Sequence, residues 1–141
     1  MKIAVSYYTR SGNTGKLAEA IASALGVTAR PVADGLEGEA DVLFLGSSPY
    51  AFDVDDAIKE FVAACAGKVG VIVCFGTSAS GMSTRKKIKA AADKAGVKVS
   101  EEYFNCPGRF KFMHKGRPNE ADAAAAAKFA VETRDKLASE A

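Results

Sequence analysis

Apolar and polar positions alternate between two periods along this chain: short apolar runs of strand length, and longer stretches carrying a stripe every three to four residues. Ile3, Val5 and Tyr7 predict a first strand, and Leu17, Ile21 and Leu25 mark one face of the helix that follows. Thr28 to Val32 is a short strand candidate, joined by an irregular glycine-rich link at Asp34 to Glu39 to an apolar strand from Asp41 to Leu45. Val54 to Cys65 places Ile58, Phe61, Val62 and Cys65 on one helical face. Val69 to Cys74 is apolar throughout, as expected of a strand buried on both sides. A helix from about Ser83 to Ala95, with Ile88, Ala91, Ala92 and Ala95 inward, leads to a strand at Val97 to Phe104 whose alternation suits a place nearer the edge. The last helix opens after Pro118, with Asn119 as N-cap and Asp122 in a capping-box relation, and turns Ala126, Phe129, Ala130, Thr133 and Leu137 inward. The run Ala123 to Ala127 is structural: alanine is the best helix former and lets a helix approach closely.

Strands alternating with helices imply a parallel sheet, because each parallel pair needs a crossover that a helix supplies. The expected class is therefore α/β: a three-layer sandwich with a five-stranded parallel sheet and helices on both faces. At 141 residues, with 48% hydrophobic and 26% charged positions, the chain fits a single domain spanning 1–141. Ligands of such sheets bind beyond the carboxyl ends of the strands. The loops leaving the first, third and fourth strands should converge there.

The first of these loops carries Thr9, Ser11, Gly12, Asn13, Thr14 and Gly15. A helix start offers unpaired N–H groups and a positive dipole end, so hydroxyls and glycines at this point suit an anion, phosphate above all. A triphosphate-binding loop does not fit, since aligning Gly15-Lys16 to that pattern puts Arg10 at its first glycine and Leu17 at its magnesium-binding hydroxyl. A cysteine-phosphatase loop is excluded because no cysteine lies between Met1 and Val62. The turn reads as an anchor that holds a phosphate without attacking it.

The second loop, Ser47 to Asp53, and the third, Phe75 to Gly81, combine aromatic rings with small polar residues. A flat heterocycle would fit between Tyr50 or Phe52 on one side and Phe75 on the other, its polar edge read by Thr77 and Ser78. There is no Ser/His/Asp set and no carboxylate pair with a ligand partner, so no catalytic or metal-binding residue is assigned. His114, the one histidine, is expected on the surface of a basic stretch from Arg109 to Arg117. A net charge of +2 gives no electrostatic reason to expect nucleic acid. The three cysteines lack metal or disulfide spacing; Cys65 and Cys74 are expected in the core and Cys106 in a loop as an ordinary thiol. With no apolar leader or membrane-length run, the expectation is a cytoplasmic protein without a membrane anchor.

The strand Ile3 to Tyr7, then Thr9-x-Ser11-Gly12-Asn13-Thr14, then Ala18 and Ile21, closely resemble the FMN-phosphate motif of the flavodoxin family, and the order of elements is similar over nearly the whole length. The resemblance implies the short-chain form, strand order 2-1-3-4-5, and FMN as cofactor. It places the phosphate on Thr9, Ser11, Gly12, Asn13 and Thr14, with Arg10 in the same turn, and the flavin ring between Ser48, Pro49, Tyr50, Ala51 and Phe52 and the segment Phe75, Gly76, Thr77, Ser78 and Gly81. It implies electron transfer between redox partner proteins through an exposed flavin edge, by a monomer or weak dimer. Two alternatives stand beside it: an FMN-dependent NAD(P)H oxidoreductase acting on quinones or similar acceptors, and a flavin-free interaction domain on the same fold. Familiar flavodoxins are strongly acidic, whereas this chain is slightly basic, so fewer carboxylates oppose negative charge on a reduced flavin. Redox titration of the FMN-loaded protein is accordingly expected to give a less negative potential for full reduction than in the acidic members; an equally low potential would overturn this.

Overall fold

The computed structural model describes residues 1–49, 53–78, 81–108 and 116–140. Its elements are β1 (Ile3–Tyr7), α1 (Asn13–Leu25), β2 (Ala29–Pro31), a short 3-10 turn at Val32–Asp34, β3 (Ala40–Ser47), α2 (Asp56–Ala64), β4 (Val69–Ser78), α3 (Arg85–Ala95), β5 (Lys98–Pro107) and α4 (Glu120–Glu140). The strands form one parallel sheet in the order β2-β1-β3-β4-β5, the three-layer arrangement and strand order expected from the sequence. Among the described residues no helix is long and apolar enough to cross a membrane.

The two-residue period of the central strands divides the core in two. Val42, Phe44, Val71, Val73 and Phe75 face α1 and α4, where Leu17 and Ile21 are fully buried; burial of each such side chain contributes about 1.5–3 kcal/mol. Leu43, Leu45, Ile72 and Cys74 face α2 and α3, meeting Ile58, Val62, Cys65, Ile88 and Ala92. α4 lies along α1 and β5, with Ala126 and Ala130 fully buried and the Phe129 ring 5.8 Å from Phe104. Its start is the reciprocal cap foreseen: Asp122 N–H donates to Asn119 Oδ1 at 2.9 Å, and Asn119 N–H donates to Asp122 Oδ2 at 2.8 Å.

Three strands run further than their apolar patterns suggest. β3 reaches Ser47, β4 reaches Ser78 and β5 reaches Pro107, so Phe75 to Ser78 is strand rather than loop, and Cys106 pairs opposite Thr77 instead of lying in a loop. The pattern stops early because polar residues and glycines carry the ladder at the carboxyl ends of the strands. Proline closes both edge strands, at Pro31 and Pro107, where a missing N–H costs least. Between Ile72 and Cys74 the pairing with β5 jumps from Val99 to Tyr103; Arg85 Nε donates to Ser100 O at 2.9 Å and satisfies a carbonyl of this irregular stretch.

Gly46, opposite Tyr7 and Phe75 in the sheet, is required by close approach. A Cβ there would run into the buried Phe75 ring and come within 2.9 Å of Thr14 Cγ2. Gly15, by contrast, has room: its Cβ would lie 3.5 Å from the Tyr7 ring, an ordinary contact. Gly46→Ala is expected to lose about 1–3 kcal/mol by overpacking, while Gly15→Ala should gain about 0.5–1 kcal/mol by stiffening α1. Urea unfolding of the two variants measures both, and a stable Gly46→Ala protein would contradict the packing described.

Candidate functional site

β1 ends beneath the carboxyl edge of the sheet, where Tyr8 N–H donates to Gly46 O at 3.0 Å and ties the outgoing turn to β3. The turn must then reverse into α1. Gly12 makes this possible with φ +86, and a Cβ at that position would meet nothing within 4 Å, so the space beside the helix start is open. Gly12 offers no side-chain cap, and the first turn of α1 has no acidic residue. The positive end of the helix is therefore uncompensated from within.

Thr9 and Ser11 line this opening. Thr9 Oγ1 accepts the Gly12 N–H at 2.9 Å, and Ser11 Oγ accepts the Asn13 N–H at 3.4 Å. A hydroxyl that accepts keeps its own proton to donate, so both remain donors toward an incoming anion. Ser11 and Gly12 are exposed and Thr9 is half-buried. An oxyanion seated here would meet two hydroxyls, the first-turn N–H groups and the helix dipole together.

Behind the turn lies a closed set of hydroxyls. Thr14 Oγ1 is 2.8 Å from Ser48 Oγ and 3.2 Å from Thr77 Oγ1, and Ser48 Oγ is 3.0 Å from Thr77 Oγ1. Three hydroxyls with three mutual contacts can each donate once and accept once. The set joins α1, the end of β3 and the end of β4, and no described buried side-chain polar atom lacks a partner. Alongside, Ser47 Oγ donates to Thr84 Oγ1 at 2.9 Å, linking β3 to the start of α3. Gly108, just past β5, closes the far side: a Cβ there would come within 2.8 Å of Thr77 Cβ and 3.2 Å of Asn13 Nδ2.

Charged groups hold the second loop to the first. Arg10 pairs with Asp55 at 2.6 Å, and Asp55 also caps α2 by accepting the Ala57 N–H at 2.9 Å. The Arg10 guanidinium and the cap hydrogen bond hold the Asp55 carboxyl below the usual carboxylate range. Asp53 is lowered likewise, first by Lys59 at 2.8 Å and then by the Val54 N–H. Burial pushes the thiols up, to about 11 for Cys65 and Cys106 and about 12 for Cys74, so none is a thiolate at neutral pH. No described group of His, Cys, Asp and Glu could hold a metal ion.

The residues expected at the site thus separate into distinct places. Thr9, Arg10, Ser11 and Gly12 line the turn, whereas Asn13 and Thr14 are buried beneath it. Ser48 and Thr77 belong to the hydroxyl set, Pro49 is half-buried next to Ser48, Gly76 and Ser78 continue the β4 ladder, and Gly81 is exposed beyond it. Phe75 is a correction. It is 1% exposed and packs under Gly46 in the core facing α1, so its ring forms no wall for a heterocycle. The strand register decides this, since odd positions of β4 point toward α1. Cys106, expected as a loop thiol, is a buried strand residue. Tyr50, Ala51, Phe52 and the stretch from Arg109 to Lys115, with His114, lie outside the described residues. Asp55, Thr84 and Gly108 were not anticipated: Asp55 had a local signal as an acidic residue opening a helix, while the other two act through contacts distant in sequence.

Comparison with known proteins agrees with this architecture. No family model and no curated protein matches the chain. Among solved structures it is similar to a flavodoxin from the domain Archaea, at 20% identity and TM-score 0.75 over 97% of this chain and 99% of that one. It is similar to oxidised Flavodoxin 2 from Bacillus cereus, at 16% identity and TM-score 0.68 over 96% of this chain and 99% of that one. A flavoprotein in complex with FMN from Lactobacillus acidophilus NCFM matches at 17% identity and TM-score 0.57, covering 74% of this chain and 92% of that one. The fold is flavodoxin-like.

Because the folded-state pKa of Asp55 lies below its unfolded value, the stability it contributes is present at neutral pH and is lost as pH falls through the folded pKa. Stability is expected to decline from about pH 5 toward about pH 2, with Asp55→Asn flattening that decline. Urea midpoints across this range, with carboxyl NMR titration, measure it; an Asp55 pKa at or above the ordinary value of about 3.9 would contradict the assigned pair.

Proposed function

We propose that this flavodoxin-like domain binds FMN and carries electrons between redox partners. The observation that carries the proposal is the uncompensated start of α1, opened by Gly12 at φ +86 and flanked by Thr9 and Ser11, each able to donate a hydroxyl proton into the opening. Thr9, Ser11 and the N–H groups of the first α1 turn hold the phosphate, with the Gly12 N–H fixing the Thr9 hydroxyl toward it. Asn13 and Thr14 form the floor below it. Thr14, Ser48 and Thr77 keep the segment after β3 at a set distance from this cradle, and that segment with the end of β4 borders the ring system. FMN, when bound, supplies one- and two-electron redox chemistry. The chain's part is to anchor the phosphate, orient the ring and leave one edge open.

Carrier fits better than reductase for two reasons. No described side chain near the cradle is placed as an acid, base or nucleophile, and the thiols are neutral at physiological pH. The chain also covers 99% of the archaeal flavodoxin it is similar to, and the described elements are the five strands, four helices and short 3-10 turn alone. Steady-state oxidation of NAD(P)H with a quinone acceptor by the FMN-loaded protein separates the readings; rapid turnover would favour the reductase.

Thr9→Ala with Ser11→Ala removes two donors to a charged acceptor, each contributing about 1.5–3 kcal/mol. FMN affinity should fall by about 100-fold or more while riboflavin changes by less than about threefold. Equal losses for both ligands would overturn the phosphate assignment. Arg10, engaged with Asp55, positions the turn instead of contacting phosphate in this reading. Arg10→Ala should then weaken FMN and riboflavin by the same factor, and a loss confined to FMN would make Arg10 a direct ligand.

A further inference from the structure

α2 and α3 lie side by side on the face of the sheet away from α1 and α4, and small residues line the seam between them. The result is a groove of about 580 Å³ with Ala63 and Ala91 among the alanines of its floor. Lys59 from α2 and Lys87 and Lys94 from α3 rim it, with Asp53 as the one acidic lining residue. Lys59 is satisfied by Asp53 at 2.8 Å. Lys87 and Lys94 are exposed and make no ion pair among the described residues. They stand seven positions apart on one helix, hence on one face and about 10 Å apart along its axis.

We propose that this groove docks an acidic amphipathic helix of a partner protein. The match is in both charge and shape. Carboxylates at positions i and i+7 of a helix repeat at the same spacing as Lys87 and Lys94, and apolar side chains between them would rest on the alanine floor. A nucleic-acid backbone would find only a few cations, an apolar floor and a repelling Asp53. Asp53 lies five positions along the chain from Ser48 of the hydroxyl set, which links this end of the groove in sequence to the end of β3. The inference thus names the kind of partner for the proposed carrier and rests on that reading for its redox meaning. The docking is a separate physical claim.

The probe is a helical, alanine-based peptide with glutamates seven apart and leucines between, beside the same peptide with glutamine for glutamate. Binding is followed by amide NMR shifts on the full chain loaded with FMN. The glutamate peptide should perturb Lys59, Ala63, Lys87, Ala91 and Lys94, bind more weakly as salt rises, and lose about tenfold in affinity with Lys87→Glu/Lys94→Glu. Lys87→Gln/Lys94→Gln, a milder pair at exposed positions, should lose less in the same direction while leaving circular dichroism and FMN affinity unchanged. Shifts on another surface, a loss under twofold in the charge-reversed variant, equal binding of the glutamine peptide, or tighter binding of a DNA duplex or an anionic vesicle at these residues would each overturn the proposal. Should the wild-type chain not take up FMN, the carrier reading fails while the peptide titration, run on the flavin-free chain, still decides the docking.

Discussion

Everything at the carboxyl edge of the sheet depends on the contact among the hydroxyls of Thr14, Ser48 and Thr77, 2.8–3.2 Å apart. Each belongs to a different element, and Thr14 and Thr77 are almost wholly removed from water. A buried hydroxyl without a partner costs about 1–3 kcal/mol, so the three must meet one another or destabilise the edge they join. Their meeting requires the first turn of α1 to sit directly over the ends of β3 and β4. The glycines at 46 and 76 permit it: a side chain at the first would strike Phe75, and one at the second would strike the Ser47 carbonyl oxygen. The small residues are thus needed below the site more than within it.

Above that floor the chain leaves charge uncompensated in one place and neutralises it in the next. The start of α1 has no acidic residue of its own, which keeps its dipole available to an anion. The two aspartates nearest the second loop are each occupied, Asp55 by Arg10 and Asp53 by Lys59, so neither is free to repel a phosphate or a reduced ring. The Arg10–Asp55 pair also ties the turn after β1 to the cap of α2. On the same side of the sheet, Lys87 and Lys94 leave the α2–α3 face net positive.

The fold was legible because its signals are local. The stripe of Leu17 and Ile21 and the unbroken run from Val69 to Cys74 depend only on neighbours along the chain, as does the Asn119–Asp122 cap. The start of α1 was legible for the same reason, since a turn of hydroxyls and glycine before an apolar helical stripe is a local arrangement. Strand ends were less so, because Ser47, Gly76, Thr77 and Ser78 look like loop residues and are held in the ladder by their neighbours.

By itself the sequence determined the order of elements, the two buried faces of the central strands and the polarised start of α1, all of which follow from backbone period and the chemistry of adjacent residues. Tertiary structure alone decided that Phe75 is core and not a wall of the site, that Cys106 is buried opposite Thr77, and that Arg10 answers to Asp55. These outcomes rest on strand register, where a shift of one residue exchanges the faces, and on contacts between residues dozens of positions apart. A period along the chain says that a residue turns inward; only the packed sheet says what it meets there.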